Sequence, residues 1–227
     1  MKLLIGLTMK DGVPKAVHDA IMRYREVPVA DGDLVEVGGE GFVGRARNNY
    51  CSIFLENKQY SKLLSVDSDI PFHRSHIERL ISHDVDVVGG IYYRKQLERV
   101  PVMEALMPDK TVNKIQENGL LKVRYMGTGF LCVKRRVFEE MMEPEEPHMF
   151  DLDFHAPWYI HEETGEKQWD FFPCAVDMQQ RRYLSEDWWF CHRANNLGFD
   201  VWADTKCVVP HLGTAIFPLM KPEDPVK

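Results

Sequence analysis

KLLSVDSDIPF, residues 62–72, decides how this chain is read. Its apolar run, Leu63 to Val66, gives way at once to Asp67 and Asp69, two carboxylates two positions apart. A short apolar run bounded by polar residues predicts a buried strand. Open α/β sheets bind ligands outside the carboxyl ends of their strands, so the acidic pair falls where a site is expected.

The same alternation continues on either side. Upstream, KLLIGLT (2–8) predicts a strand, and DGVPKAVHDAIMRYR (11–25) a helix with Pro14 in its first turn and Ala16, Val17, Ala20 and Ile21 on one face. LVEV (34–37) predicts a second strand and GFVGRARNNYCSIFLENKQY (41–60) a long helix. Downstream, HRSHIERLISHD (73–84) predicts a short helix with Ile77, Leu80 and Ile81 inward, and VDVVGGIYY (85–93) a fourth strand. Strands alternating with helices predict an α/β sheet.

The remainder is less regular. Residues 94–119 carry polar stretches and an Asn-Gly pair, the pattern of a loop or an added hairpin. YMGTGFLCVKRRVFEEMM (125–142) returns to strand then helix. Residues 143–182 mix prolines, acids and aromatics without sustained periodicity, which suits a flap over a site or an inert surface insertion. LSEDWWFCHRANNLG (184–198) predicts a helix with Ser185 as N-cap and Gly198 as its stop, and FDVWAD (199–204) and CVVPHLG (207–213) predict two closing strands.

Composition bounds the rest. A chain of 227 residues buries one substantial core, so one domain over 1–227 with local insertions is expected. Hydrophobic residues at 44% and charged residues at 28% are ordinary for a soluble protein. The net charge of −7 makes nucleic acid a poor default partner. No apolar run reaches bilayer-spanning length, and MKLLIGLTM lacks a signal-peptide cleavage pattern. Five scattered cysteines without a CxxC pair predict free thiols and a cytoplasmic setting.

Two chemistries compete for the acidic strand end. Gly39, Gly41 and Gly44 satisfy GxGxxG between a strand and a helix, with Asp67 near the place of a ribose-binding acid. The glycines follow the second strand rather than the first, and that reading assigns Asp69 no role, so a ligand-free turn is the expectation. Alternatively, Asp67 and Asp69 hold a hard cation, Mg²⁺ or Mn²⁺, one directly and one through water or ribose. An isolated D-x-D often only caps a turn. Here GTGF (127–130) adds backbone able to approach a ligand closely, SED (185–187) puts two acids in the first turn of a helix, and PHLG (210–213) puts an imidazole after a late strand.

Together ARN (46–48), LLSVDSDIPF, VVGGIYYRK, MGTGFLCVKRRVFE, YLSEDWWFCHRANNLGFDVWADT and PHLG resemble the nucleotide-sugar glycosyltransferases of the GT-A fold, of the family-2-like kind frequent in bacteria and phages, from residue 1 to about 217. The resemblance implies a Rossmann-like single domain with a mainly parallel mixed sheet flanked by helices. It implies a nucleotide-diphosphate sugar donor, a UDP-sugar being favoured, bound near Thr8, Arg47, Asn48, Asp67, Ser68, Asp69 and Gly129. Mn²⁺ or Mg²⁺ would sit on Asp69 with Asp67 nearby and His211 as a further ligand. Asp187 would be the catalytic base of an inverting transfer, with Glu186 and Trp188 at an acceptor that is a glycan, a lipid-linked sugar or a modified nucleic-acid base. The first strand departs from the family in ending GLTMKDG rather than in a PxYN-like turn. The rival readings are another metal-dependent nucleotide-diphosphate enzyme, a nucleotidyltransferase or phosphohydrolase, and a non-catalytic carbohydrate-binding module.

Overall fold

Apolar residues at every second position build the first strand, β1 (Lys2–Thr8): Leu3, Ile5 and Leu7 join one buried cluster and Leu4 the other. Both faces of the sheet are therefore covered, as alternation between two buried sides requires. The computed structural model describes residues 2–9, 12–96, 98–105, 107, 109–142, 144, 149 and 151–213. After β1 come α1 (Lys15–Glu26), β2 (Asp33–Val37), α2 (Val43–Glu56), β3 (Tyr60–Asp67), α3 (Arg74–Ser82) and β4 (Val87–Ile91). Then follow β5 (Met103–Glu104), β6 (Leu120–Val123), β7 (Tyr125–Met126), β8 (Phe130–Lys134) and α4 (Arg135–Met141). Four short strands, β9 (Trp158–Ile160), β10 (Lys167–Trp169), β11 (Ala175–Asp177) and β12 (Arg182–Leu184), lead into α5 (Glu186–Asn196) and β13 (Val201–Val208).

The central sheet has the order β2-β1-β3-β8-β4-β13-β6. β1 runs parallel to β2 and β3, and β13 parallel to β4. β8 is antiparallel to both β3 and β4, and β6 is antiparallel to β13. This is the mixed, mainly parallel sheet of a Rossmann-like α/β domain. Residues of α1 and α3, among them Val17, Ile21, Ile77 and Leu80, pack on one face with Leu64 and Val66. Residues of α2, α4 and α5, among them Tyr50, Phe54, Phe138 and Phe190, pack on the other with Leu63 and Val133.

One contact on that second face sets up the site. A Cβ on Gly6 would lie 2.4 Å from Tyr50 Cγ, so only glycine lets the ring lie against β1. The Tyr50 hydroxyl also meets Ser65 Oγ of β3 at 2.6 Å. This docks α2 across both strands and places Arg47, one turn earlier, beneath their carboxyl ends.

Several sequence expectations are corrected. The helix expected over 41–60 ends at Glu56, because Asn57 leaves helical geometry and Tyr60 already opens β3. The two closing strands are one, β13, with a register shift between Asp204 and Val208 on β4. LLKV, residues 120–123, forms the edge strand β6 after a turn at Gly119, whose φ of 96° favours glycine. Within 143–182, residues 143, 145–148 and 150 lie outside the described residues; the rest includes the β9–β10 hairpin and the start of the β11–β12 pair. Gly198 does end α5, with a φ of 85° and its N–H donated to the Asn195 carbonyl at 3.0 Å.

Candidate functional site

Two strand ends and one buried arginine form the floor of the site. Thr8 closes β1 and Asp67 closes β3, and the two pair in register. Thr8 Oγ1 donates to Asp67 Oδ1 at 3.0 Å. Arg47 Nη2 donates to both Asp67 oxygens, at 2.9 and 3.1 Å, while Nη1 donates to Glu186 Oε1 at 2.9 Å. Arg47 is 3% exposed, so one buried cation ties the end of β3 to the start of α5. Burial alone would weaken its charge, but Asp67 and Glu186 more than offset this and hold its pKa above the ordinary value.

Asp69 faces a different set of partners. Its Oδ2 accepts from Lys95 Nζ, and its carbonyl accepts the Leu212 N–H at 2.8 Å, fastening the segment after β13 to the acidic turn. His211 Nε2 stands 3.4 Å from Asp69 Oδ1. His211 Nδ1 lies 2.7 Å from the Tyr93 carbonyl, which can only accept, so Nδ1 carries the proton and the neutral ring presents a lone pair at Nε2. The Tyr92 ring holds the imidazole edge-on at 5.1 Å. Burial pushes His211 down, yet Asp69 and the Tyr93 carbonyl leave its pKa raised. Burial likewise pushes Asp69 up, and His211 and Lys95 leave it lowered.

These residues fit a hard cation in part. Asp69 Oδ1 is buried without a hydrogen-bond partner, and the Nε2 lone pair faces it, so two protein donors converge. Mg²⁺ and Mn²⁺ sites commonly take one or two protein ligands and complete the shell with phosphate and water. Asp67 does not join them, because Arg47 and Thr8 occupy its oxygens. Among the described residues no three His, Cys, Asp or Glu side chains are placed to share one ion. Of the three expected ligands the structure brings together Asp69 and His211.

The helix start behaves differently from its sequence pattern. Ser185 has N-cap backbone geometry, but its hydroxyl donates to the Asp187 carboxylate instead of accepting a helix N–H. Asp187 Oδ1 also accepts the Trp188 N–H at 2.8 Å. Burial, reinforced by the adjacent Glu186 charge, raises the Asp187 pKa. Glu186 instead faces Arg47. Trp188 stacks on Tyr125 at 5.2 Å and lies under the Arg182 guanidinium at 4.6 Å, so its ring is committed to packing.

A cavity of ≈ 470 Å³ opens over this floor, lined by Thr8, Asp67, Ser68 and Asp69 on one side and by Gly39, Glu40 and Gly41 on another. The glycine-rich turn expected to be ligand-free is therefore a wall of the candidate site. Asn48 is not in that lining: its Nδ2 donates to Asp170 Oδ1 at 3.0 Å and its Oδ1 accepts the Phe171 N–H at 3.1 Å. Gly129 owes its identity to close packing, since a Cβ there would lie 2.8 Å from Asp67 Oδ2 and 2.9 Å from the Tyr92 hydroxyl. Lys95 and Tyr92 are the residues that sequence reading missed. Both lie in the segment VVGGIYYRK, just beyond the carboxyl end of the fourth strand, but that pattern assigned neither of them a role.

No protein-family model matches the chain, and no curated protein matches its sequence. Among solved structures, A197 from STIV is similar with a TM-score of 0.54 and 17% identity, over 98% of this chain and 100% of that one. A protein assigned as a glucose-1-phosphate thymidylyltransferase from Bacillus anthracis gives a TM-score of 0.37 at 13% identity, over 66% of this chain and 78% of that one. A 4-diphosphocytidyl-2C-methyl-D-erythritol synthase from Anaerococcus prevotii gives 0.35 at 12%, over 65% and 80%. The last two scores are too low to carry an argument. The first likeness, spanning both chains, shows a shared α/β fold and nothing of activity.

Proposed function

We propose that this chain is a metal-dependent glycosyltransferase that moves a sugar from a nucleotide-diphosphate sugar, a UDP-sugar being favoured, to an acceptor hydroxyl with inversion. The observation that carries the reading is the convergence, at the carboxyl edge of one sheet, of Asp69 with His211 and of Asp67 with Arg47 and Glu186, with Asp187 beside Glu186 at the start of α5. Asp69 and His211 would hold Mn²⁺ or Mg²⁺. Such a cation supplies charge neutralisation for a departing diphosphate.

The chain's own groups have separate tasks. Asp67, fixed by Arg47 and Thr8, offers its rim to nucleotide hydroxyls or water, beside Ser68 in the cavity wall. Lys95 brings a positive charge next to Asp69, suited to diphosphate oxygens. Asp187 accepts the proton of the attacking hydroxyl. Its raised pKa makes it a stronger base than an exposed aspartate. Glu186 keeps Arg47 in place and so positions Asp67 and the helix start together.

The test is product analysis. Incubation with a panel of nucleotide sugars and Mn²⁺ should release an intact nucleoside diphosphate. Release of nucleoside monophosphate would instead support a phosphohydrolase, and pyrophosphate exchange a nucleotidyltransferase. Binding of free sugar with no turnover of any donor would support a carbohydrate-binding module.

A further inference from the structure

Strand alternation sends the side chains of β11 and β12 to two sides. Asp177 and Leu184 turn inward and are buried, while the cross-strand pair Val176 and Tyr183 turns outward, 45% and 66% exposed. Among the described residues no further strand joins these two. Met178, in the turn that follows β11, is 62% exposed. Exposed apolar residues scattered singly are ordinary, but here three crowd one short hairpin.

The turn between the strands is held from within, because the buried Asp177 Oδ1 accepts the Gln179 and Gln180 N–H groups, both at 2.9 Å. Arg181 ends that turn with a φ of 53°, a conformation that favours Gly or Asn. The turn itself therefore gives no reason for an arginine. Its Nη1 lies 4.0 Å from Met178 Sδ, and among the described residues it has no carboxylate partner. Arg124 and Arg182 stand near the same tip, both paired with Glu104, and Arg124 also donates to Gln180. Three guanidinium groups thus meet two carboxylates, Glu104 and the buried Asp177, in a chain whose net charge is −7.

This combination suits the headgroup region of an anionic membrane: an unpaired cation for lipid phosphate, a tyrosine at headgroup depth, and Met and Val side chains for the acyl boundary. A stable protein partner takes roughly 800 Å² a side, far more than four partly exposed side chains supply. Among the described residues no helix is long and apolar enough to cross a membrane, so the contact is peripheral. Its place is informative too. β12 runs directly into α5, with Tyr183 four residues before Asp187, and Cys174 Sγ, just before β11, lies 3.9 Å from Glu186 Oε2.

We propose that the β11–β12 hairpin docks the protein on an anionic lipid surface, with Val176, Met178 and Tyr183 entering the interface and Arg181 on lipid phosphate. This goes beyond the transferase reading; only its consequence, an acceptor presented from the membrane beside Asp187, rests on that reading.

The full-length protein, without nucleotide or metal, is co-sedimented with phosphatidylcholine vesicles that contain or lack phosphatidylglycerol. It should bind the anionic vesicles, and more weakly as salt rises. Met178→Ser with Tyr183→Thr removes apolar surface at exposed positions, so the melting temperature should stay within about 2 °C of wild type while binding falls by about tenfold or more. Arg181→Glu reverses one charge and should weaken binding to the anionic vesicles by about tenfold or more, with little effect on phosphatidylcholine alone. Asp69→Ala should bind vesicles as wild type does, so failure of the transferase reading would not touch this result. Absence of binding to anionic vesicles overturns the proposal, as does binding that survives both hairpin variants. A wild-type dimer in analytical ultracentrifugation that the double variant loses would assign the face to a second copy and overturn it as well.

Discussion

Arg47→Met is the most informative single change to the architecture of the site. It keeps an unbranched stem in the core but removes the guanidinium that binds Asp67 at 2.9 and 3.1 Å and Glu186 at 2.9 Å. Both acids then face each other's charge with no cation between them. Removing one partner of a buried ion pair costs about 3–5 kcal/mol. Asp67 keeps 25% of its side-chain surface in water and Glu186 20%, so solvent screens part of the loss and about 3 kcal/mol is expected. In a chain of 227 residues that lowers the melting temperature by about 6–12 °C. Thermal denaturation followed by circular dichroism reads the shift. If the cost is uncompensated charge, adding Asp67→Asn and Glu186→Gln to Arg47→Met should restore about half of it. A single variant melting within about 2 °C of wild type, or a triple variant no better than the single, would refute the claim that Arg47 joins β3 to α5.

Other expectations concern the site and one distant cluster. Asp187→Asn should lower turnover by about 10²-fold or more with donor affinity near wild type, and steady-state kinetics with an identified acceptor would show it; equal small losses in Asp187→Asn and Glu186→Gln would make Asp187 structural. His211→Ala should weaken Mn²⁺ binding by about tenfold or more in calorimetric titration, and unchanged affinity would remove His211 from the ligand set. Asp204 is fully buried in β13, with Arg79 Nε at 2.6 Å, His83 Nε2 at 2.8 Å and the Lys206 N–H at 2.9 Å. Burial pushes its pKa up, but Arg79 and His83 more than offset this and leave it lowered. A lowered carboxylate stabilises the fold above its unfolded pKa of about 3.9, and that contribution is lost as pH falls through the folded value. Asp204→Asn should therefore be about 3 kcal/mol less stable near neutrality, with the gap closing below about pH 4 in urea melts; a gap constant with pH would contradict this.

The sequence showed the sheet because its physics is local. The apolar runs ending at Thr8, Asp67 and Ile91 lie between helices that bury one face each, and those periods survive folding. Elements set by tertiary contact were less legible. Tyr60 looked like the tail of a helix until its ring found Phe54 at 6.5 Å, and LLKV became a strand only because β13 offers it an edge. The site divides the same way. Asp67, Asp69, Asp187 and His211 stand out as acids or imidazole at element ends. Arg47, Asn48 and Lys95 do not show their direction in one dimension. Arg47 crosses 139 residues to reach Glu186, Asn48 turns to Asp170, and Lys95 reaches back to Asp69. Trp188, next to an acid, suggested a stacking face for an acceptor, but Tyr125 and Arg182 already use that ring.

The central claim is that Asp69, at the turn after β3, holds a cation against a nucleoside diphosphate. Calorimetric titration of UDP into the protein with and without Mn²⁺, for wild type and Asp69→Ala, tests it most directly. The account predicts binding that needs Mn²⁺ and falls by about 10²-fold or more in Asp69→Ala, whose melting temperature stays near wild type. UDP affinity that is the same without Mn²⁺, or the same in Asp69→Ala, would contradict it.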